Sequence, residues 1–434
     1  ERHLWADSYN RALRVISRTS AVRYKETDKS LPEIARELNV DAVVEGSVLR
    51  VGDRVKITAQ LMGTRPERHL WADSYNRDLR DVLALHSEVA RAIADEIKVA
   101  VTPEEEARLT SARPVDPKAH ELYLMGWFFL KKNTQEAVEK GIGYFQQALE
   151  EDPDYALAYS GLASAYNLIG NYALSPPRET SPKAKTLALK ALGIDETLAE
   201  AHTELGYVKM NYDWDWAGAE RAYKRAVELN PGYWFAHILY AWYSAALGRF
   251  DEALVKMKLA LKLDPLSIAI NSVFGWHLYM ARRYDKAIVQ LRKTIEMDPT
   301  SYFSYYSLGM VYEQKRMYKE AIEEFQKAIA LSDSMTTIIA ALGHAYAASD
   351  KRGEAQRVIS KLQKLSKQKY VSSYDMAVIY TGLGERDQAF QWLEKAYEQR
   401  DGWLAGWLKI DPRFDPLHND PRFADLLRRM NFPE

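Results

Sequence analysis

The sequence predicts a mainly α protein: an α-solenoid of about eight helix-turn-helix repeats, preceded by a small α+β domain. Three observations carry this. Ala219, Ala253, Ala287, Ala321, Ala355 and Ala389 are each 34 residues apart. Four residues after each alanine stands a bulky apolar residue (Tyr223, Met257, Leu291, Phe325, Ile359, Leu393), and three further on come Ala226, Ala260, Thr294, Ala328, Leu362 and Ala396. Pro231, Pro265 and Pro299 close three units, and Leu205-Gly206, Phe274-Gly275, Leu308-Gly309 and Leu342-Gly343 open four. A single helix pair cannot bury its apolar faces alone, so stacked pairs form a continuous core. Gly in the first helix and Ala in the second let backbones approach, and the bulky residue fills the gap between units. Proline, with no interior N–H to give, stops the second helix.

Composition bounds the rest. A chain of 434 residues is too long for one compact core. Its 59 basic and 60 acidic residues leave a net charge of −1, which offers neither a nucleic-acid footprint nor a polybasic membrane patch. The absence of cysteine excludes disulfides, thiolate catalysis and cysteine-based zinc sites. No apolar run reaches the roughly 18 residues that a membrane-spanning helix needs. The start, Glu1-Arg2-His3-Leu4-Trp5, lacks both the layout of a signal peptide and an initiator Met, so a fragment or processed product is expected. Both a cytoplasmic location and the extracytoplasmic part of a membrane-anchored protein fit.

Taken in order, residues 1–14 match residues 67–80 at every position except Ala12 against Asp78. Residues 1–11 are read as a silent duplication or assembly scar, or as a strand swapped onto a neighbouring molecule. Residues 12–100 form the α+β domain. A short strand is expected at 14–17, and Ser30-Leu31-Pro32-Glu33 is a capping box that starts a helix ending near Leu38. A strand at 41–51, a turn at Gly52-Asp53 and an alternating strand at 55–61 make a hairpin. Residues 68–75 are a further candidate strand, and 82–99 an amphipathic helix. Residues 101–117 are the linker, 118–400 the solenoid and 401–434 a C-terminal cap. Two less regular repeats, at 120–153 and 155–196, begin the solenoid. The second is expected to carry an enlarged loop at 171–182 with Pro176, Pro177 and Pro182. The cap holds a repeated motif, Asp411-Pro412-Arg413-Phe414 and Asp420-Pro421-Arg422-Phe423. A terminal repeat needs such a cover because its outer face would otherwise be wet and apolar.

The 34-residue period with these residues resembles the tetratricopeptide repeat family, which implies a right-handed solenoid. The N-terminal block resembles the small domain of TolB-like and FlgO-like bacterial proteins. Arg14-Val15-Ile16-Ser17-Arg18-Thr19-Ser20, Ala35-Arg36-Glu37-Leu38-Asn39-Val40-Asp41, Val44-Glu45-Gly46-Ser47-Val48 and His69-Leu70-Trp71 carry that resemblance. That family's usual first strand and helix are missing, so an incomplete sheet is expected. Together the two blocks resemble the sensor-like portion of bacterial signalling proteins.

No phosphate loop, HExxH, GxSxG, kinase signature or Cys/His metal spacing is present, so no catalytic residue, metal or cofactor is assigned. His202 and His237, fourth in successive first helices, read as packing residues. Asp213 and Asp215, in Asp213-Trp214-Asp215-Trp216, sit at a turn where Asp serves as a cap. The tetratricopeptide resemblance implies that set positions of each first helix line a concave groove. Those positions hold Tyr207, Met210, Asn211, Phe235, Ile238, Trp242, Trp276, Tyr279, Met280, Phe303, Tyr306, Met310, Glu313 and Gln314. The wall is aromatic and lacks the basic residues of a carboxylate clamp. The expected function is a non-enzymatic scaffold that binds a protein or peptide in this groove, with no nucleic-acid partner. Self-association through the N-terminal domain is a further expectation. The rival class is a glycan-binding or glycan-cleaving solenoid, since Trp and Tyr faces also stack on sugars. Cleavage needs two carboxylates, and the groove positions supply only Glu313.

Overall fold

The computed structural model describes residues 15–25, 27–51, 54–64, 67–78, 82–96, 116–132, 134–171, 175–332 and 335–433. The expectations for residues 1–11, for the Gly52-Asp53 turn and for the linker up to residue 115 lie outside the described residues. The chain divides into two units, one of residues 1–124 and 147–155, the other of residues 125–146 and 156–434.

In the first unit residues 15–17 are not a strand but the entry to a short helix, α1 (Arg18–Val22), capped by the Ser17 hydroxyl, which accepts from the Thr19 N–H. Among the described residues they pair with no strand. Helix α2 (Leu31–Leu38) has the expected box: the Ser30 N–H donates to Glu33 Oε2 at 2.8 Å. It ends at Asn39, whose φ of 52° is left-handed. Strands β1 (Ala42–Val51), β2 (Arg54–Thr64) and β3 (Glu67–Asp78) form an antiparallel meander in that order, with a bulge between Leu61 and Met62. In the central strand Val55, Ala59 and Leu61 are buried while Arg54, Lys56 and Thr58 are exposed. That is the alternation a half-buried strand requires. Helix α3 (Val82–Glu96) follows.

The solenoid runs through eight helix pairs. The first pair is α4 (Pro117–Leu130) and α5 (Gln135–Glu151), and the second α6 (Ala156–Asn171) and α7 (Pro177–Ile194). The third is α8 (Ala199–Val208) and α9 (Trp216–Leu229), joined by a π-helical turn over Lys209–Asp213. Then come α10 (Trp234–Ala246) with α11 (Phe250–Leu263), α12 (Ile268–Met280) with α13 (Tyr284–Met297), and α14 (Tyr302–Gln314) with α15 (Tyr318–Leu331). The last are α16 (Thr336–Ala348) with α17 (Arg352–Leu365), and α18 (Ser373–Gly382) with α19 (Arg386–Gln399). The loop before α7 is shorter than the sequence implied. Pro177 takes the first turn, where no N–H is needed, and Pro182 lies inside the helix.

The repeat positions behave as their spacing demands. All six register alanines are at most 1% exposed. In α12–α13 and α14–α15 the bulky residue of the second helix lies over the glycine of the first: a Cβ on Gly309 would fall 2.7 Å from the Phe325 ring, and one on Gly275 would fall 2.5 Å from Leu291, whereas one on Gly343 would meet Val358 and Ile379. Phe145 similarly covers Gly126 and Gly161. A second periodicity is conformational. Trp214, Gly248, Arg282, Arg316, Asp350 and Gly384, again 34 apart, all have positive φ. Each ends a first helix; at Arg316 the next N–H, of Met317, reaches back to the Tyr312 carbonyl at 2.9 Å. This is the six-to-one bond of a Schellman turn. A third pattern explains the histidines. His202, His237 and Asn271 direct side-chain nitrogens to the carbonyls of Glu196, Pro231 and Pro265, at 2.9, 2.8 and 2.9 Å, closing the turn that enters each first helix.

After α19 the chain continues as α20 (Gly402–Trp407), a 3-10 turn over Pro412–Leu417, and α21 (Pro421–Arg429). Helix α21 lies on α19 through Arg422–Asp387 and Arg429–Glu394 pairs. The sequence was read as capping only the last repeat, but α20 and the 3-10 turn run along the face built by the first helices.

Candidate binding site

The face formed by the first helices α10 to α18 is an aromatic wall, and the C-terminal segment covers it. Trp242 and Trp276, at equivalent positions of successive repeats, have ring centroids 6.3 Å apart. Trp407 wedges against both, edge-on to Trp276 at 3.8 Å and to Trp242 at 5.2 Å, with Trp403 behind it at 5.6 Å. Further anchors hold the segment. The Trp216 indole donates to the Met430 carbonyl at 2.9 Å and stacks on Phe432 at 4.3 Å. The Arg400 guanidinium lies 3.5 Å over the Trp214 ring and donates to the Tyr212 carbonyl. Arg282 grips Asp415 with two bonds of 2.8 and 2.7 Å.

Between wall and segment lies a cavity of about 390 Å³. Of the residues that the sequence assigns to the groove, Trp242, Trp276, Met280, Phe303, Tyr306 and Met310 line it; Tyr207, Met210, Asn211, Phe235, Ile238, Tyr279, Glu313 and Gln314 do not. Tyr207 and Tyr279 are core residues, 8% and 0% exposed. Glu313 is buried and turned to His344, whose Nδ1 is 2.7 Å away, so the single groove carboxylate is engaged in a helix-to-helix contact. Asp215 caps α9 by accepting from Gly218 N–H, and Asp213 pairs with Lys185.

The sequence reading missed the acidic groups of the site, because they sit on α18 and beyond the last repeat. Three carboxylates, Asp375, Asp401 and Asp411, and one guanidinium, Arg413, are buried in this region. Arg413 is spent on Asp411, with Nη2 2.6 Å from Oδ2 and Nε 3.0 Å from Oδ1, and the Tyr374 hydroxyl donates to the same carboxylate. Burial alone would raise Asp411; the charge and hydrogen bonds of Arg413 outweigh it and hold the carboxyl below its ordinary value. Asp401 caps α20 and accepts from the Ser372 hydroxyl at 2.7 Å, the Trp403 N–H at 3.1 Å and the Tyr374 N–H at 3.4 Å. Asp375 has less. One oxygen accepts from the Thr337 hydroxyl at 2.9 Å, and burial, with the neighbouring Asp401 charge, pushes its pKa up to about 7. Among the described residues no group of three or more His, Asp or Glu side chains is placed to hold a metal ion, and no helix is long and apolar enough to cross a membrane.

Comparison with known proteins bears on the solenoid. Models of the tetratricopeptide repeat match residues 215–268 and 302–334. A putative adenylate cyclase 3 of Rhizobium meliloti is 32% identical over 194 residues, 44% of this chain and 33% of that protein. The transcriptional regulator HilA of Salmonella typhimurium is 25% identical over 148 residues, 34% of this chain and 27% of that protein. The chain thus spans a third or less of either relative. A structure of human IFIT1, a dimer with PPP-AAAA, superposes with a TM-score of 0.50 at 18% identity, covering 74% of this chain and 83% of that one.

Proposed function

We propose, from the premise that residues 117–399 form a tetratricopeptide-repeat solenoid, that this chain is a non-enzymatic scaffold. It binds a protein or peptide on its first-helix wall, as the interaction or sensor portion of a bacterial signalling protein. The observation that supports the reading is the wall's present occupant: a stretch of polypeptide, residues 401–433, seated through an indole wedged against Trp242 and Trp276. A surface that holds one helical segment by an aromatic anchor has the chemistry to hold another, since interface energy concentrates in such anchors. The partner displaces the chain's own segment or joins it on the same wall. Similarity to a putative adenylate cyclase supports the signalling context.

The test is capture by the full chain and by its Trp407→Ala variant, each challenged with a synthetic peptide of residues 401–433. A partner of the wall is held more strongly by the variant and is released by the peptide. Capture that is equal for both baits and indifferent to the peptide would refute the wall as the binding surface.

A further inference from the structure

We propose that the cavity beneath the C-terminal segment binds an organic ammonium ion, a small primary or quaternary amine, with Asp375 as its counter-ion and Trp242, Trp276 and Trp407 around it.

Most of the cavity's oxygen groups satisfy one another. Ser272 Oγ donates to the Ile268 carbonyl at 2.8 Å and lies 2.7 Å from Ser304 Oγ, which is 2.9 Å from Ser301 Oγ. Asp298 accepts from the Thr300 N–H and hydroxyl at 2.9 and 2.7 Å. Asp411 and Arg413 neutralise each other. Asp375 differs. Its side chain lines the cavity and the residue is 3% exposed; Oδ2 takes the Thr337 hydroxyl, and Oδ1 accepts no hydrogen bond among the described residues. The other charged groups near it do not compensate. Asp401 repels it; the Arg413 charge attracts it but is hydrogen-bonded to Asp411, and Lys131, which also lines the cavity, is solvent-exposed.

A nearly desolvated carboxylate with one hydrogen bond and no cation hydrogen-bonded to it is costly. It is relieved by a proton or by a positive charge brought into the cavity. The surrounding rings favour the second route, since indole faces attract cations and aromatic cages of this composition hold ammonium groups. Anions are disfavoured by the local excess of carboxylates. A sugar needs many polar partners, and much of the polar lining is already engaged internally, through Ser272, Ser301, Ser304, Asp298 and the Asp411–Arg413 pair; the indole nitrogens of Trp242 and Trp403 are buried rather than open to it. Such a ligand binds with the C-terminal segment in place, so the proposal does not rest on the wall taking a protein.

The test is calorimetric titration of the full chain with choline chloride and n-butylammonium chloride, against 3,3-dimethyl-1-butanol as the neutral isostere of choline. At least one cation should bind saturably, the alcohol should not, and Asp375→Asn should weaken the cation by about tenfold or more. Thr337→Val, which keeps the carboxylate, should still bind. Absence of saturable binding by both cations overturns the proposal, as does equal binding of the alcohol or unchanged affinity in a folded Asp375→Asn. Should Asp375→Asn not fold, the contrast between cation and alcohol on the unaltered chain decides.

Discussion

Replacing Trp407 with alanine removes the indole that joins the C-terminal segment to the first-helix wall. Trp407 is 6% exposed, with three other tryptophans around it at centroid distances of 3.8, 5.2 and 5.6 Å. A tryptophan of this kind buries about 150–250 Å², which at ~25 cal/mol per Å² corresponds to about 4–6 kcal/mol. An extended reference chain overstates that burial, and the vacated space partly collapses, so a loss of about 3–5 kcal/mol is expected. The loss falls first on the segment. Its other anchors remain in place: Phe414, fully buried against Tyr374, the bond from Trp216 to the Met430 carbonyl, and the half-exposed Arg282–Asp415 pair, which contributes at most about 1 kcal/mol; none of them makes good the lost indole. Local release should therefore precede global unfolding. Native-state hydrogen exchange reads this directly. In Trp407→Ala, amides of residues 402–430 should lose protection while those of α12 to α17 keep theirs. Unchanged protection of 402–430 would show that the indole does not hold the segment.

Ala321→Asp places a charge at a 0% exposed helix contact and should cost about 3–5 kcal/mol; a urea midpoint that barely moves would mean the contact is misassigned. Arg316 has φ of 59°, so Arg316→Gly should raise stability by up to about 1 kcal/mol as the left-handed strain is relieved, and a lower melting temperature would count against that. The raised pKa of Asp375, about 7 against an ordinary 3.8, means the native state binds the extra proton between those values. Stability from this group is therefore lost as pH rises through about 7. Between pH 6 and 8 the wild type should lose roughly 1 kcal/mol more than Asp375→Asn, and parallel urea profiles for the two proteins would contradict the burial argument.

Much of the solenoid was legible because its contacts repeat. An alanine every 34 residues is a local demand renewed in six units, a glycine beneath the bulky side chain recurs in several of them, and the buried positions follow both. The positive-φ turns share the same period yet stay hidden in sequence, since only Gly248 and Gly384 are glycines, while Trp214, Arg282, Arg316 and Asp350 adopt the same conformation under tertiary constraint. Of the assigned groove positions, Trp242, Trp276, Met280, Phe303, Tyr306 and Met310 border the cavity, but what covers them was not legible, because Trp407 meets Trp242 across many repeats and no periodicity encodes that contact. The Asp-Pro-Arg-Phe pair is instructive. Both copies fold alike, with Asp accepting from the Arg N–H and guanidinium. Asp411 and Arg413 are nevertheless 0% and 6% exposed, whereas Arg422 stays largely in solvent and reaches Asp387. Local sequence set the turn; only the tertiary fold decided which copy is buried. The density of Trp403, Trp407, Phe414 and Phe423 beyond the last repeat was the one sequence signal that the tail is more than an edge cover.

The account's central claim, that residues 401–433 occupy the solenoid's own wall, is open to direct measurement because the chain contains no cysteine. Arg282 on the wall and Asp415 on the segment form a two-bonded contact. The double variant Arg282→Cys and Asp415→Cys, treated at high dilution with a short bis-maleimide, should yield an intramolecular cross-link in native buffer, abolished in denaturant and absent from either single variant. A native double variant that forms no intramolecular product, or only dimers, would contradict the claim.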